Sequence, residues 1–257
     1  MCSVKFTAFT AIPRTTKEPL VKSSAALLLA SICFFSGCAG STTEKQTDPK
    51  KWAFWEKGGY YVKAESLPEG LVPPPPAAGS SVDKEDLAEL EAWQKKRTDK
   101  LCEEVIAQKR VEPDTFFKKL PFEPKSSAEA VLLKIRADVG QAVSRYKAEY
   151  ARARPFLREP DRFKPCYPEG HGTSYPSGHA AISQAYALAL GDLDPAHRTL
   201  YLNEAKQAGL YRVIGGVHHP SDIRAGAELG AAVYARIKQT PEFRKELASL
   251  QGRALEK

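Results

Sequence analysis

Three short strings in the chain hold side chains whose types and spacing could handle a tetrahedral oxyanion. In YRVIGGVHHPSD, Asp222 follows His218 by four residues, within reach of the imidazole if a helix begins between them. A carboxylate placed there accepts a bond from one ring nitrogen, fixes the tautomer and leaves the other nitrogen as a nucleophile. Arg212, six residues before His218, adds a planar fork of donors matched to phosphate oxygens. In SYPSGH, Ser177 supplies a hydroxyl and Gly178 lets the backbone approach an anion with no Cβ in the way. His179 carries a proton that can be given away near neutral pH. The run that follows, AAISQAYALAL, reads as a buried helix, and a helix N-terminus presents unpaired N–H groups and partial positive charge to an anion. In KAEYARARP, Lys147 and Arg154 stand seven residues apart, close to two helical turns, so a helix that holds that far projects both cations from nearly one face.

Taken alone, each string has a plainer account. Lys147 and Arg154 could belong to a solvated basic face that also contains Arg145 and Arg152. Ser177 could be only a helix cap and His179 a surface residue. Asp222 could be a first-turn helix acid, with His218 one half of a turn pair with His219.

The elements that must position these residues read as helices. From Ser81, VDKEDLAELEAWQKKRTDKLCEEVIAQ places Leu87, Leu90, Trp93, Leu101, Val105 and Ile106 at spacings suited to one buried stripe. A second helix opens at Ser126, with Glu129 three residues on as a capping box, and Pro155 stops it. The third follows SYPSGH and ends near Gly191. The fourth takes Asp194 as cap and Pro195 in its first turn and runs to about Gly215. A fifth starts at Pro220 or Ser221, where Gly226, Gly230 and several alanines would let another helix approach closely, and a sixth opens at Thr240–Pro241. No strand-length alternation and no internal repeat is evident, which predicts an all-α domain, a single helical bundle.

Length and an apolar fraction of 42% allow one core of ordinary size and exclude a disordered chain. The formal charge of +7 fits a protein that attracts anions. Lys5, Arg14, Lys17 and Lys22 precede the apolar stretch AALLLASICFF, which is followed by SGC; this reads as a secretory signal, too short for a comfortable membrane span. FSGC resembles a bacterial lipobox with Phe35 where Leu is usual, which would make Cys38 the lipidated residue; an ordinary cleaved signal is the alternative. By resemblance to Gram-negative lipoproteins, Ala39 favours the outer membrane. After the polar tether come Trp52, Phe54, Trp55, Tyr60 and Tyr61, expected to pack back onto the domain, and then Pro73 to Pro76, an extended spacer or strap over its surface. Cys102 and Cys166 are the cysteines left for the mature body; they could pair in an oxidising compartment or stay as two buried thiols. Neither spacing suggests a metal site.

In order and spacing together, Lys-x6-Arg-Pro, Pro-Ser-Gly-His and Arg-x5-His-x3-Asp resemble the signature of the type 2 phosphatidic acid phosphatase superfamily, which includes bacterial class A non-specific acid phosphatases and vanadium haloperoxidases. LVPPPPAAGS resembles the proline segment of the class A enzymes, and the likeness runs to about residue 250. The division implied is a lipoprotein-type signal over 1–37, a tether and proline-rich lead-in over 38–80, and an acid phosphatase domain over 81–257. The resemblance implies that His218 attacks phosphorus to form a phosphohistidine, oriented by Asp222, while Lys147, Arg154, Ser177, Gly178 and Arg212 hold the phosphoryl oxygens. His179 would protonate the leaving alcohol and then activate water, and no metal or cofactor is expected. Two gaps, five residues after Arg212 and three before Asp222, select His218 over His219. Tyr211 stands where the family usually has Ser, which bears on pocket shape and substrate range. The partners expected are phosphorylated small molecules and, through the lipid, a membrane; nucleic acid is not among them, and a homo-oligomer is left open. The competing readings are a lipid-phosphate or pyrophosphate phosphatase at the membrane, a vanadium haloperoxidase, and a phosphate-binding lipoprotein without turnover.

Overall fold

The computed structural model describes residues 58–113, 126–167 and 172–255. The leader over 1–37, Cys38, and Trp52, Phe54 and Trp55 lie outside the described residues, as does the Ser126 side chain of the expected capping box.

The helices are α1 (Ser81–Lys96), α2 (Asp99–Ala107), α3 (Ser126–Tyr150), α4 (Pro155–Arg158), α5 (Gly178–Leu193), α6 (Arg198–Ile214), α7 (Pro220–Ile237) and α8 (Pro241–Leu255). Among the described residues there are two short 3-10 turns and no strand, so the fold is an all-α bundle. α5 is its axis. Ala181, Ile182, Ala185, Tyr186, Ala189 and Leu190 bury it around its circumference, as expected of a helix apolar on all sides. α6, α7 and α3 pack around it. Gly226 and Gly230 of α7 face the backbone of α5, and their missing Cβ atoms let the two helices cross at short range. Among the described residues no helix is long and apolar enough to cross a membrane.

Three expectations change, the fourth helix among them: it begins at Arg198, after a separate 3-10 turn over Pro195–His197. The helix expected to run unbroken from Ser81 divides after Lys96: Arg97 is extended, and the Thr98 hydroxyl accepts the N–H of Leu101 at 3.2 Å, capping a new helix. The break frees Arg97 to donate across to the carbonyl oxygens of Ile214, at 3.2 Å, and of Lys164. The lead-in is also more than a spacer, because Val62, Leu67 and Val72 are part of the main core. The buried Asp138 carboxylate of α3 accepts the backbone N–H groups of Gly59, Tyr60, Tyr61 and Val62 at 2.7–2.9 Å. Tyr146, Tyr150 and Tyr175 donate their hydroxyls to the carbonyls of Pro68, Val72 and Pro73. Three phenols thus fasten the strap to α3 and to the segment before α5. Tyr61 packs edge-on against Phe243, whereas Tyr60 is half exposed.

Cys102 of α2 and Cys166 are joined in a disulfide, with Cα atoms 5.3 Å apart. The bond ties α2 to the segment that leads toward α5.

Candidate active site

The three strings come from separate segments, and backbone hydrogen bonds lock them together. α3 ends at Tyr150, and Ala151 takes a left-handed φ of 46° that turns the chain out of the helix. Arg154 is extended, φ −69° and ψ 153°, and precedes Pro155 at the first position of α4. The expectation that Lys147 and Arg154 share one helix face is therefore corrected. Lys147 reaches the site from the last turn of α3, and Arg154 reaches it from the loop that follows.

Residues 173–174 lie along that loop. The Ser174 N–H donates to the Arg152 carbonyl at 2.8 Å, the Ser174 hydroxyl to that of Ala153 and the Thr173 hydroxyl to that of Lys147. The Lys147 ammonium returns a bond to the Thr173 carbonyl. Ser177 then caps α5, its hydroxyl oxygen accepting from the Ala180 N–H, while its own N–H donates to the Asp222 carbonyl at 2.9 Å. That last bond ties the second string directly to the third.

The two central imidazoles have assignable tautomers. His218 Nδ1 lies 3.4 Å from Asp222 Oδ2, and its Nε2 lies 3.3 Å from Arg154 Nη1. A guanidinium can only donate, so Nε2 carries a lone pair and the proton sits on Nδ1. His179 Nε2 lies 2.8 Å from the Lys109 carbonyl, which can only accept; that nitrogen carries a proton and Nδ1 is left to exchange one. Burial pushes His218 well below the ordinary histidine range, helped by Arg154 and Lys147 and opposed by its bond to Asp222. Burial does the same to His179, helped by Arg212 and His218. Arg212, Arg154 and Lys147 thus lie near enough to the two imidazoles to oppose their protonation. Arg154, Ser177, Arg212, His218 and Asp222 are buried, and Lys147, Gly178 and His179 are half-buried. The solvent-facing side therefore carries His179.

Asp222 is held from several directions. Its Oδ2 accepts the His219 N–H at 2.7 Å and faces His219 Nδ1 at 3.1 Å as well as His218. Burial pushes its carboxyl up, but the bonds from His218 and His219 outweigh that and hold it well below the carboxylate range. His219 is thus the cap residue of α7, sharing Asp222 with His218.

Several contacts around the site were not legible in the strings. The Arg152 side chain is 8% exposed, and its Nη1 donates to Asp222 Oδ1 and to the Ser221 hydroxyl, each at 2.7 Å. The Arg212 guanidinium stacks over Tyr167, 5.4 Å from the ring centroid. Tyr211 donates to Glu104 of α2 at 3.0 Å and packs with Val105 and Ile214, so its bulk fills the α2–α6 contact. Among the described residues no three His, Cys, Asp or Glu side chains gather as a metal-holding group.

Comparison with known proteins agrees with this geometry. Residues 130–246 match the PAP2 superfamily. A non-specific acid phosphatase of Salmonella typhi is 36% identical over 115 residues, which cover 43% of this chain and 45% of that one. One of Providencia stuartii is 28% identical over 208 residues, covering 73% and 82%. The chain thus spans about half the length of the Salmonella relative it matches. In fold alone it is similar to a bacterial vanadium-dependent iodoperoxidase, with a TM-score of 0.51 at 17% identity, covering 65% of this chain and 51% of the other. Lys147, His179, His218 and Asp222 all fall inside the stretch that matches the PAP2 superfamily.

Proposed function

We propose that the protein is an acid phosphatase that hydrolyses phosphomonoesters through a phosphohistidine on His218, without a metal. The observation that carries this reading is the His218 geometry: Nδ1–H directed at Asp222, and a lone pair on Nε2 beside the Arg154 guanidinium. A phosphoryl group entering the site gives Arg154 anionic oxygens to bond in place of the ring nitrogen. Nε2 then attacks phosphorus as the ester P–O bond breaks. Lys147, Arg154, Arg212, the Ser177 hydroxyl and the Gly178 N–H hold the three equatorial oxygens as charge redistributes. His179, on the solvent-facing side, gives its proton to the leaving alcohol. It then takes a proton from water, whose oxygen attacks phosphorus as the P–N bond breaks, and inorganic phosphate leaves.

The relatives named acid phosphatases support this activity, and lipidation of Cys38 would hold the protein at a membrane facing the periplasm, the outer membrane being favoured by Ala39. Phosphate release from p-nitrophenyl phosphate, with and without chelator, tests the reaction. Acid-labile phosphate label trapped on wild type and lost in His218→Ala would support it. Full release by His179→Ala would overturn the role given to His179, and wild type that binds phosphate but releases none from the ester would overturn the activity in favour of a phosphate-binding protein. Radiolabelled palmitate incorporation that survives Cys38→Ala would overturn the anchor.

A further inference from the structure

Behind Asp222 lies a buried ionic cluster that joins Arg152 and Ser221 of the strings to Asp83, Asp86, Arg158 and Arg224 outside them. Arg152 Nη2 faces Asp83 Oδ1 at 3.3 Å and Asp86 Oδ2 at 3.2 Å, while its Nη1 holds Asp222 and Ser221. Arg158 grips Asp83 with both arms at 2.5 Å. Asp86 in turn accepts the Ser221 N–H at 3.0 Å and the Ser221 hydroxyl, and Arg224 stands at the rim, 3.5 Å from Asp86. Asp83 and Asp86 belong to the first turns of α1, and both are almost wholly buried. Buried charges are tolerated when paired and fully hydrogen-bonded, and such a cluster has few alternative arrangements.

We infer that Arg152 is a positioning residue for the phosphatase reaction: it fixes Oδ1 of Asp222 so that Oδ2 stays on His218 Nδ1, and it is itself fixed by Asp83 and Asp86 of α1. The chain of contacts runs from α1 through Arg152 and Asp222 to the nucleophilic nitrogen. Without Arg152, Asp222 could rotate toward His219, which competes for the same oxygen from 3.1 Å. Arg152 also withdraws part of the carboxylate's negative field from His218. This inference rests on the proposed phosphatase activity.

The sign of the pH effect follows from the groups around His218. Asp222 favours its charged form; Arg154, Lys147 and His179 oppose it. Replacing Arg152 by Gln leaves the Asp222 charge less compensated, so the His218 imidazolium is favoured and its titration moves to higher pH. Because His218 must be neutral to attack, the acid limb of kcat/KM moves up with it.

The test measures p-nitrophenyl phosphate kinetics against pH for wild type, Arg152→Gln and Arg152→Lys, with the His218 ring titration followed by nitrogen NMR. Arg152→Gln is expected to lower kcat by about 10- to 100-fold, as loss of a group that orients a reacting one does, with KM little changed and both acid limb and ring titration moved upward. Arg152→Lys keeps the charge but cannot fork to four acceptors; it restores the pH profile and only part of kcat. Wild-type kcat and an unmoved ring titration in Arg152→Gln would overturn the inference. If that variant does not fold, Arg152→Lys decides: a lowered kcat at unchanged KM supports positioning, and wild-type kcat refutes it. Wild type that releases no phosphate would instead defeat the phosphatase reading, while the ring titration still tests whether Arg152 acts on His218.

Discussion

Gly226 presses against Ser177 so closely that a Cβ on it would stand 2.3 Å from the Ser177 carbonyl oxygen and 3.0 Å from the Ala180 side chain. The cap of α5 and the second turn of α7 are therefore set by one missing methyl group. Gly226→Ala forces the Ser177 backbone to move and is expected to cost about 1–3 kcal/mol of stability. It should also raise the inhibition constant for inorganic phosphate, since Ser177 and Gly178 move together. Gly230→Ala, whose Cβ would meet the Ala181 carbonyl at 2.1 Å one turn further in, should lower the melting temperature with a smaller effect on phosphate. Paired thermal melts and inhibition curves separate the two effects.

An acid-side optimum follows from the two imidazoles. Both titrate well below the usual 6.5, burial being the first cause in each. The nucleophile must be neutral, which depression of His218 secures, while His179 must be charged to protonate the leaving group and so requires acid. The optimum of kcat/KM is expected below pH 6.5, and His179→Asn should lower kcat by about 100- to 10,000-fold for an alkyl phosphate. The loss should shrink for p-nitrophenol, a leaving group that needs less help. A profile peaking above pH 8 would exclude this division of roles.

Replacing Asp222 by Asn keeps the shape of the cap but removes the charge that favours a proton on His218 Nδ1. An amide can present its NH2 to the ring and turn the tautomer round, so kcat should fall by roughly 1,000- to 10,000-fold. Phosphate binding, which relies on Lys147, Arg154 and Arg212, should survive within a few-fold. Steady-state kinetics together with phosphate titration distinguish this from global loss of structure.

The starts of α5, α7 and α8 were legible because Ser, Pro and Gly mark them locally, and each helix begins where its cap or first-turn proline stands. The division at Arg97 was hidden because the apolar stripe continues from Trp93 to Leu101, while the Thr98 cap looks like any polar residue in a charged run. Arg152 was invisible for a different reason. In KAEYARARP it is one cation among three, and what singles it out are carboxylates 66 to 70 residues away. Asp138 is similar: its partners are main-chain N–H groups, which leave no mark on residue type. The pattern thus disclosed the groups of the proposed site, and only folding disclosed those that hold them.

Stability should fall with acid in two stages. His179 and His218 are kept neutral in the fold but bind protons in the unfolded chain below 6.5, so folding loses free energy as pH drops through that value. Asp83, bonded first of all by Arg158, titrates far below 3.8, so its stabilisation is complete above 3.8 and is lost as pH falls below it. Melting temperature against pH should bend downward near 6.5 and again near 4, and Arg158→Gln should weaken the second bend.

Reduction should loosen the body more than it alters the chemistry. The disulfide closes a loop across a separation of 64 residues, for which chain entropy gives roughly 4 kcal/mol. Cys102→Ser with Cys166→Ser should lower the denaturant midpoint accordingly. Any additional rise in KM would report movement of α2, which leads into the Lys109 carbonyl that bonds His179. Chemical denaturation with and without reductant measures the first effect, and initial-rate kinetics the second.

The strap over residues 58–80 decides where this polypeptide can be cut. A chain beginning at Ser81 would keep every residue of the three strings, yet it would strand the Asp138 carboxylate inside α3 without its four amide donors and leave three phenols facing vacated ground. A protease nicking the segment between Val62 and Val72 would therefore open the main core from a place outside the three strings.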